Sequence, residues 1–192
     1  MIIEYFGMPG SGKSTLLAKI VVDTQKKIDM GLSKYSAVYT NVPVNYPGVR
    51  MIKWDYIGRY DYTDCLIVID EIGLNAHSRR YEAFPQRIIE WFCTHRHDRV
   101  DLIYFSQYYN QADKTIREVT EKLYYMKKSI IPHLTRIIRI PRTIVIPKET
   151  GDIKEGYRLP GIFERIFVGR WLYRKPYYKC FDSWETISSR PP

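Results

Sequence analysis

Residues 7–14 read Gly-Met-Pro-Gly-Ser-Gly-Lys-Ser, and no other stretch constrains the fold of this chain as strongly. A short apolar run, Ile2 to Phe6, precedes it, and a segment with helical spacing, Thr15 to Asp29, follows it. Strand, tight glycine loop and helix in that order make the Gly-x-x-x-x-Gly-Lys-Ser pattern a phosphate-binding loop. Glycine at 7, 10 and 12 lets successive backbone N–H groups turn inward toward a phosphate chain. The start of the next helix adds free N–H groups and a partial positive charge. The expected nucleotide-contacting set is Gly7, Pro9, Gly10, Ser11, Gly12, Lys13, Ser14 and Thr15. Lys13 would reach the β- and γ-phosphates, and the Ser14 hydroxyl would bind Mg²⁺.

Downstream, Cys65-Leu66-Ile67-Val68-Ile69-Asp70-Glu71 carries four consecutive aliphatics without polar alternation. That pattern marks a central parallel strand covered on both faces. Asp70 would support Mg²⁺, and Glu71 would polarise an attacking water as general base. A second strand of the same kind, Val100 to Phe105, closes in Ser106-Gln107. Gln107 is placed to orient that water or to sense the γ-phosphate. Between these strands, Pro85 to Thr94 has an apolar helical face formed by Ile88, Ile89, Trp91 and Phe92. Ala37 to Val42 reads as another strand, with Thr40-Asn41 at the end where α/β sites collect their residues. The expected class is α/β: a P-loop NTPase with a parallel central sheet flanked by helices.

From Lys122 onward Ile, Val and Tyr dominate, punctuated by Pro132, Pro141, Pro147, Pro160, Gly161 and Pro176. This is the grammar of strands and hairpins. The expectation is a P-loop core over residues 1–125 and a β-rich C-terminal extension over 126–192, packed on that core.

The net charge of +9 implies an anionic partner: nucleic acid, an acidic membrane face or nucleotide itself. Cys65, Cys93 and Cys180 have no paired spacing, which argues against a disulfide framework or a zinc site and fits a reducing compartment. No run approaches the length of a membrane span, so the chain as given reads as soluble and cytoplasmic.

The phosphate loop, the acidic pair Asp70-Glu71, the turn His95-Arg96-His97 and the strand end Ser106-Gln107, in that order, resemble the zonular occludens toxin family. These are the assembly and export ATPases of filamentous bacteriophages, within the HerA/FtsK-like branch. The resemblance covers about residues 1–125 and, more loosely, the remainder, where Tyr177 to Trp184 is similar to the segment before the family's membrane span. It implies an ATP- and Mg²⁺-dependent cytoplasmic domain that drives extrusion of single-stranded DNA with coat protein at the host inner membrane. It also implies a homo-oligomeric ring, such as a hexamer, and a following transmembrane helix that this sequence, ending at Pro192, does not contain.

In such rings an arginine from one subunit completes the neighbour's site. Arg96 is the first choice for that finger, with Arg99, Arg79 and Arg80 behind it. His95 and His97 lack a third ligand and read as packing residues rather than a metal site. Tyr173, Tyr177 and Tyr178, among Arg170, Arg174, Lys175 and Lys179, are candidate base-stacking platforms. Lys127, Lys128, Arg136, Arg139 and Arg142 would line a basic groove or face an acidic membrane. Two other classes compete with the ATPase: a nucleotide-gated DNA- or membrane-binding scaffold with little hydrolysis, and a small P-loop kinase.

Overall fold

The computed structural model describes residues 1–72, 86–145, 154–158, 160–161 and 169–181. Strand β1 (Ile2–Phe6) leads through the glycine loop into helix α1 (Lys13–Asp29). Strands β2 (Ala37–Thr40), β3 (Arg50–Met51) and β4 (Cys65–Ile69) follow, then helix α2 (Gln86–Thr94) and β5 (Asp101–Ser106). The short helix α3 (Lys114–Val119) leads to β6 (Lys122–Lys128), β7 (Leu134–Ile140), β8 (Arg142–Val145), β9 (Lys154–Tyr157) and β10 (Arg170–Tyr173).

Eight of these strands form one sheet in the order β10-β7-β6-β1-β5-β4-β2-β3. The pairings of β1 with β5 and β6, of β4 with β2 and β5, and of β2 with β3 are parallel. The β6–β7 and β7–β10 pairings are antiparallel. The sheet is therefore mixed, with the expected parallel centre. The strands beyond Lys122 do not sit apart from it: β6, β7 and β10 complete the same sheet, and the expected boundary at 125/126 falls inside β6. Among the described residues, β8 and β9 alone form a separate two-stranded ladder.

The period of two along each strand divides the core into two layers. On one face Leu16, Leu17 and Val21 of α1 pack against Ile3, Val38, Leu66, Val68, Ile103 and Phe105. Met126, Ile137 and Leu172 belong to this same cluster, which explains why the late strands extend the sheet: they continue its apolar face. On the other face Ile88, Trp91 and Phe92 of α2 and Ile116 of α3 cover Ile2, Ile67, Ile69, Leu102 and Tyr104. Each such aliphatic side chain contributes about 1.5–3 kcal/mol when buried.

Prolines and local turns set the strand limits. The run 136–146 breaks at Pro141 into β7 and β8, because proline cannot donate to a ladder. Residues 54–56, in a stretch without a clear pattern, form a single 3₁₀ turn whose Trp54 is buried. No helix among the described residues is long and apolar enough to cross a membrane.

Candidate functional site

The sheet order decides the site. Strand β5 lies between β1 and β4, so three parallel strands release their carboxyl ends side by side. These ends carry the phosphate loop, Gln107 and the Asp70-Glu71 pair respectively. Ligand sites of open α/β sheets form at such ends.

The loop is pinned to its neighbours by main chain. Gly7 N–H donates to Ser106 O at 3.2 Å, and Ser11 N–H donates to Met8 O at 3.1 Å. A Cβ on Gly7 would stand 2.4 Å from Met126 O, so β6 approaches too closely for any larger residue. Gly12 caps α1 with φ 93°, in the left-handed region. Lys13 is buried, and its Nζ donates to Gly7 O at 2.8 Å and to Met8 O at 3.5 Å. Burial holds its pKa below the ordinary lysine value, against the opposing pull of Glu71 and Asp70.

Facing the loop, Ser14 Oγ donates to Asp70 Oδ2 at 3.3 Å. Burial, with the Glu71 carboxylate beside it, pushes the Asp70 carboxyl up to about 6, while Lys13 and the Ser14 hydroxyl oppose the rise. A hydroxyl and a carboxylate with oxygens converging beside a phosphate loop suit a hard cation such as Mg²⁺, which takes oxygen ligands. The residues present fit that ion. Asp70 is held from behind by Asn41 at the end of β2. Asp70 N–H donates to Asn41 Oδ1 at 2.7 Å, and Asn41 Nδ2 donates to Asp70 O at 2.9 Å.

Glu71 turns left-handed, with φ 50°, a conformation that costs a non-glycine residue about 1–3 kcal/mol. Its N–H donates to Asp70 Oδ1 at 3.1 Å. The bend aims its side chain across the strand ends, where Gln107 Nε2 donates to Glu71 Oε1 at 3.2 Å. Gln107 is steadied by its own N–H donating to Gln111 Oε1 at 2.8 Å. A carboxylate and an amide thus stand together beside the Lys13 and Ser14–Asp70 groups.

Arg96 is not brought to this site. It lies at the opposite end of the sheet, where its Nη2 pairs with Glu121 Oε1 at 2.9 Å beside the start of β1. Arg99 pairs there with Asp64, its Nη2 donating to Oδ2 at 2.7 Å. Arg79 and Arg80 lie outside the described residues. His95 is buried, its Nδ1 2.8 Å from Phe92 O. Of the tyrosines, Tyr177 lies on α1, receiving Lys19 Nζ at 3.2 Å and donating to Asp23 at 3.3 Å. Tyr178 Oη is 3.1 Å from His133 Nδ1. Tyr173 and Trp171 remain 51% and 57% exposed.

Sequence reasoning missed three contributors. Asn41 was visible only as a strand-end residue, without its grip on Asp70. Thr135 and Arg174 press on the loop from β7 and from the turn after β10. Thr135 Oγ1 donates to Ser11 O at 2.6 Å, and a Cβ on Gly12 would meet Thr135 Oγ1 and Arg174 Cδ, each at 2.7 Å. More than 120 residues separate Thr135 from the loop, and no local pattern signals such a contact.

Comparison with known proteins places this geometry. The family model for zonular occludens toxin (Zot) matches residues 48–186, well over half the chain. The chain belongs to the zonular occludens toxin family. The phosphate loop lies before the matched stretch, while Asp70, Glu71 and Gln107 lie within it. The N-terminal domain of zonular occludens toxin from Neisseria meningitidis is similar, with 17% identity and a TM-score of 0.52 over 90% of this chain and 97% of that one. The genome packaging NTPase B204 from Sulfolobus turreted icosahedral virus 2, in complex with ATPγS, is similar at 12% identity, TM-score 0.52, over 83% of this chain and 98% of that one. The same NTPase in complex with AMPPCP aligns at 13% identity, TM-score 0.51, over 80% and 95% of the two chains. At these identities the likeness is one of fold, and the fold is that of P-loop NTPases. No curated relative matches the chain.

Proposed function

We propose that this Zot-family chain is a Mg²⁺-dependent ATPase that powers filamentous-phage morphogenesis, coupling hydrolysis to export of single-stranded DNA with coat protein at the host inner membrane. The observation that carries the hydrolase reading is the Glu71–Gln107 pair, 3.2 Å apart, beside Lys13 and the Ser14–Asp70 pair. The loop N–H groups and α1 bind the phosphates, and Lys13 swings from the Gly7 and Met8 carbonyls to the β- and γ-phosphates. Ser14 and Asp70 would hold Mg²⁺, which would supply charge neutralisation on the phosphate chain. Glu71 accepts a proton from the water that attacks the γ-phosphorus as its bond to the bridging oxygen breaks and ADP leaves with that electron pair, and Gln107 orients the water while releasing its bond to Glu71.

DNA handling is supported by the sheet edge. Register places Lys127, Arg136 and Trp171 side by side across β6, β7 and β10, with the Arg136 guanidinium 5.6 Å from the Trp171 ring. Cation beside exposed aromatic suits a single-stranded backbone and its bases. A ring of HerA/FtsK-like type, with Arg96 serving the neighbouring subunit, belongs to the same reading, because Arg96 lies far from its own loop.

Replacing Lys13 with Ala tests the core of this reading. Mg·ATP turnover is expected to be abolished while circular dichroism and melting remain close to wild type. Retained turnover in Lys13→Ala overturns it.

A further inference from the structure

Arg174 occupies a position that no role assigned above explains. It follows β10 directly and begins the turn Lys175–Cys180. Its backbone is fixed on two sides: its N–H donates to His133 O at 2.8 Å, and its carbonyl accepts from Tyr177 N–H at 3.1 Å. The turn is tied down beyond it, by Tyr177 on Lys19 and Asp23 of α1 and by Asn45 N–H donating to Cys180 O at 2.7 Å. The side chain is thereby laid on the phosphate loop, with Cδ 2.7 Å and Cγ 3.7 Å from where a Gly12 Cβ would stand.

The guanidinium has been carried to an anion-binding loop without an anion of its own. Arg174 Nε is buried and has no hydrogen-bond partner, and Arg174 appears in no ion pair among the described residues. Nε is a buried donor left unpaired in a half-buried side chain, and such a donor costs the folded state its desolvation and calls for an acceptor. Lys13 and the start of α1 directly follow Gly12, which the Arg174 stem overlies, and they would make that ligand an anion with more than one charged group.

Sheet order says which part of a nucleotide it meets. Asp70, Glu71 and Gln107 end β4 and β5, on one side of β1, and this is where the γ-phosphate must lie for those residues to act. Thr135 and Arg174 come from β7 and the end of β10, on the other side of β1. A phosphate chain bound on the loop would lie between these two flanks. We infer that Arg174 is a nucleotide-binding residue acting within its own chain, its guanidinium clamping the α- and β-phosphates from the β7–β10 flank opposite the hydrolytic pair. This deepens the nucleotide-binding reading and rests on it. The clamp makes Gly12 obligatory for a second reason, since any side chain there would displace it.

The test is equilibrium binding of Mg·ADP and Mg·ATP to wild type, Arg174→Met, Arg174→Lys and Lys13→Ala. Methionine keeps the stem over Gly12 and removes the charge, so the fold is preserved, and unchanged melting checks this. Loss of a charge-assisted bond should weaken ADP and ATP equally in Arg174→Met, by about 10- to 100-fold, with part of the loss recovered in Arg174→Lys. Wild-type affinity for both nucleotides in Arg174→Met, beside lost affinity in Lys13→Ala, overturns the clamp alone. Weakening of ATP with ADP unchanged also overturns it, because the contact would then be to the γ-phosphate. If wild type binds neither nucleotide, the phosphate-loop reading falls and the clamp falls with it.

Discussion

At the scale of single residues the site is governed by how Asp70 is held. Its carboxylate faces Ser14, while its backbone N–H and C=O are both taken by the Asn41 amide. An outer partner of this kind orients a metal ligand, and its removal typically costs 10–100-fold in metal affinity. Asn41→Ala should therefore raise the Mg²⁺ concentration needed for half-maximal turnover by about 10-fold or more, with the maximal rate recovered at saturating Mg²⁺. A Mg²⁺ requirement unchanged from wild type would show that Asn41 only closes β2. The left-handed turn at Glu71 belongs to the same scale. It costs backbone energy and brings the Glu71 carboxylate from the end of β4 to an amide at the end of β5.

At the scale of elements, β1 and β5 are joined by a buried polar network that supports the loop from beneath. Glu4, fully buried on β1, accepts from Ser106 Oγ at 2.8 Å and from Tyr104 Oη at 3.0 Å, and Tyr104 Oη lies 2.8 Å from Thr120 Oγ1. Ser106 is also the residue whose carbonyl receives Gly7 N–H, so the network lies one bond from the loop. Burial pushes the Glu4 carboxyl up from 4.5 to about 7, against the two hydroxyl bonds and Arg117. The folded chain thus holds this proton more tightly than the unfolded chain. Its contribution to stability is full below the ordinary carboxyl range and is lost as pH rises from about 4.5 to about 7, by about 3 kcal/mol in all. Glu4→Gln should flatten that part of the stability–pH curve, as read from denaturant midpoints at several pH values. An unchanged slope would place the titration elsewhere.

At the scale of the whole molecule, the parts legible in the sequence were those with local signatures. Gly7 to Ser14 declared the loop because glycines, lysine and serine are needed at fixed offsets. Leu66 to Ile69 and Val100 to Phe105 declared buried strands because both faces are covered, and the polar residues that end them came with the pattern. What stayed hidden was long-range. That β6, β7 and β10 join the same sheet depends on the faces of Met126, Ile137 and Leu172 meeting those of α1, which strand propensity does not encode. Glu4 passed unremarked inside an apolar run because its partners, Tyr104 and Ser106, lie about a hundred residues away. Arg174 was one basic residue among several until the fold laid it on Gly12. Assembly is the remaining whole-molecule expectation. If neighbouring subunits complete one another's sites, the rate per subunit should climb with protein concentration, and Arg96→Ala should remove the climb. A rate per subunit independent of concentration contradicts shared sites.

The central claim is that Glu71 is the base of a hydrolytic site built on the phosphate loop. The measurement that tests it most directly is paired binding and turnover of Mg·ATP in wild type and Glu71→Gln. Glutamine keeps the size of the side chain and an oxygen to accept from Gln107, and removes the ability to take a proton. ATP affinity is expected to stay within a few-fold of wild type while turnover falls by about 100- to 10,000-fold. Turnover equal to wild type in a Glu71→Gln chain that binds ATP normally would contradict it.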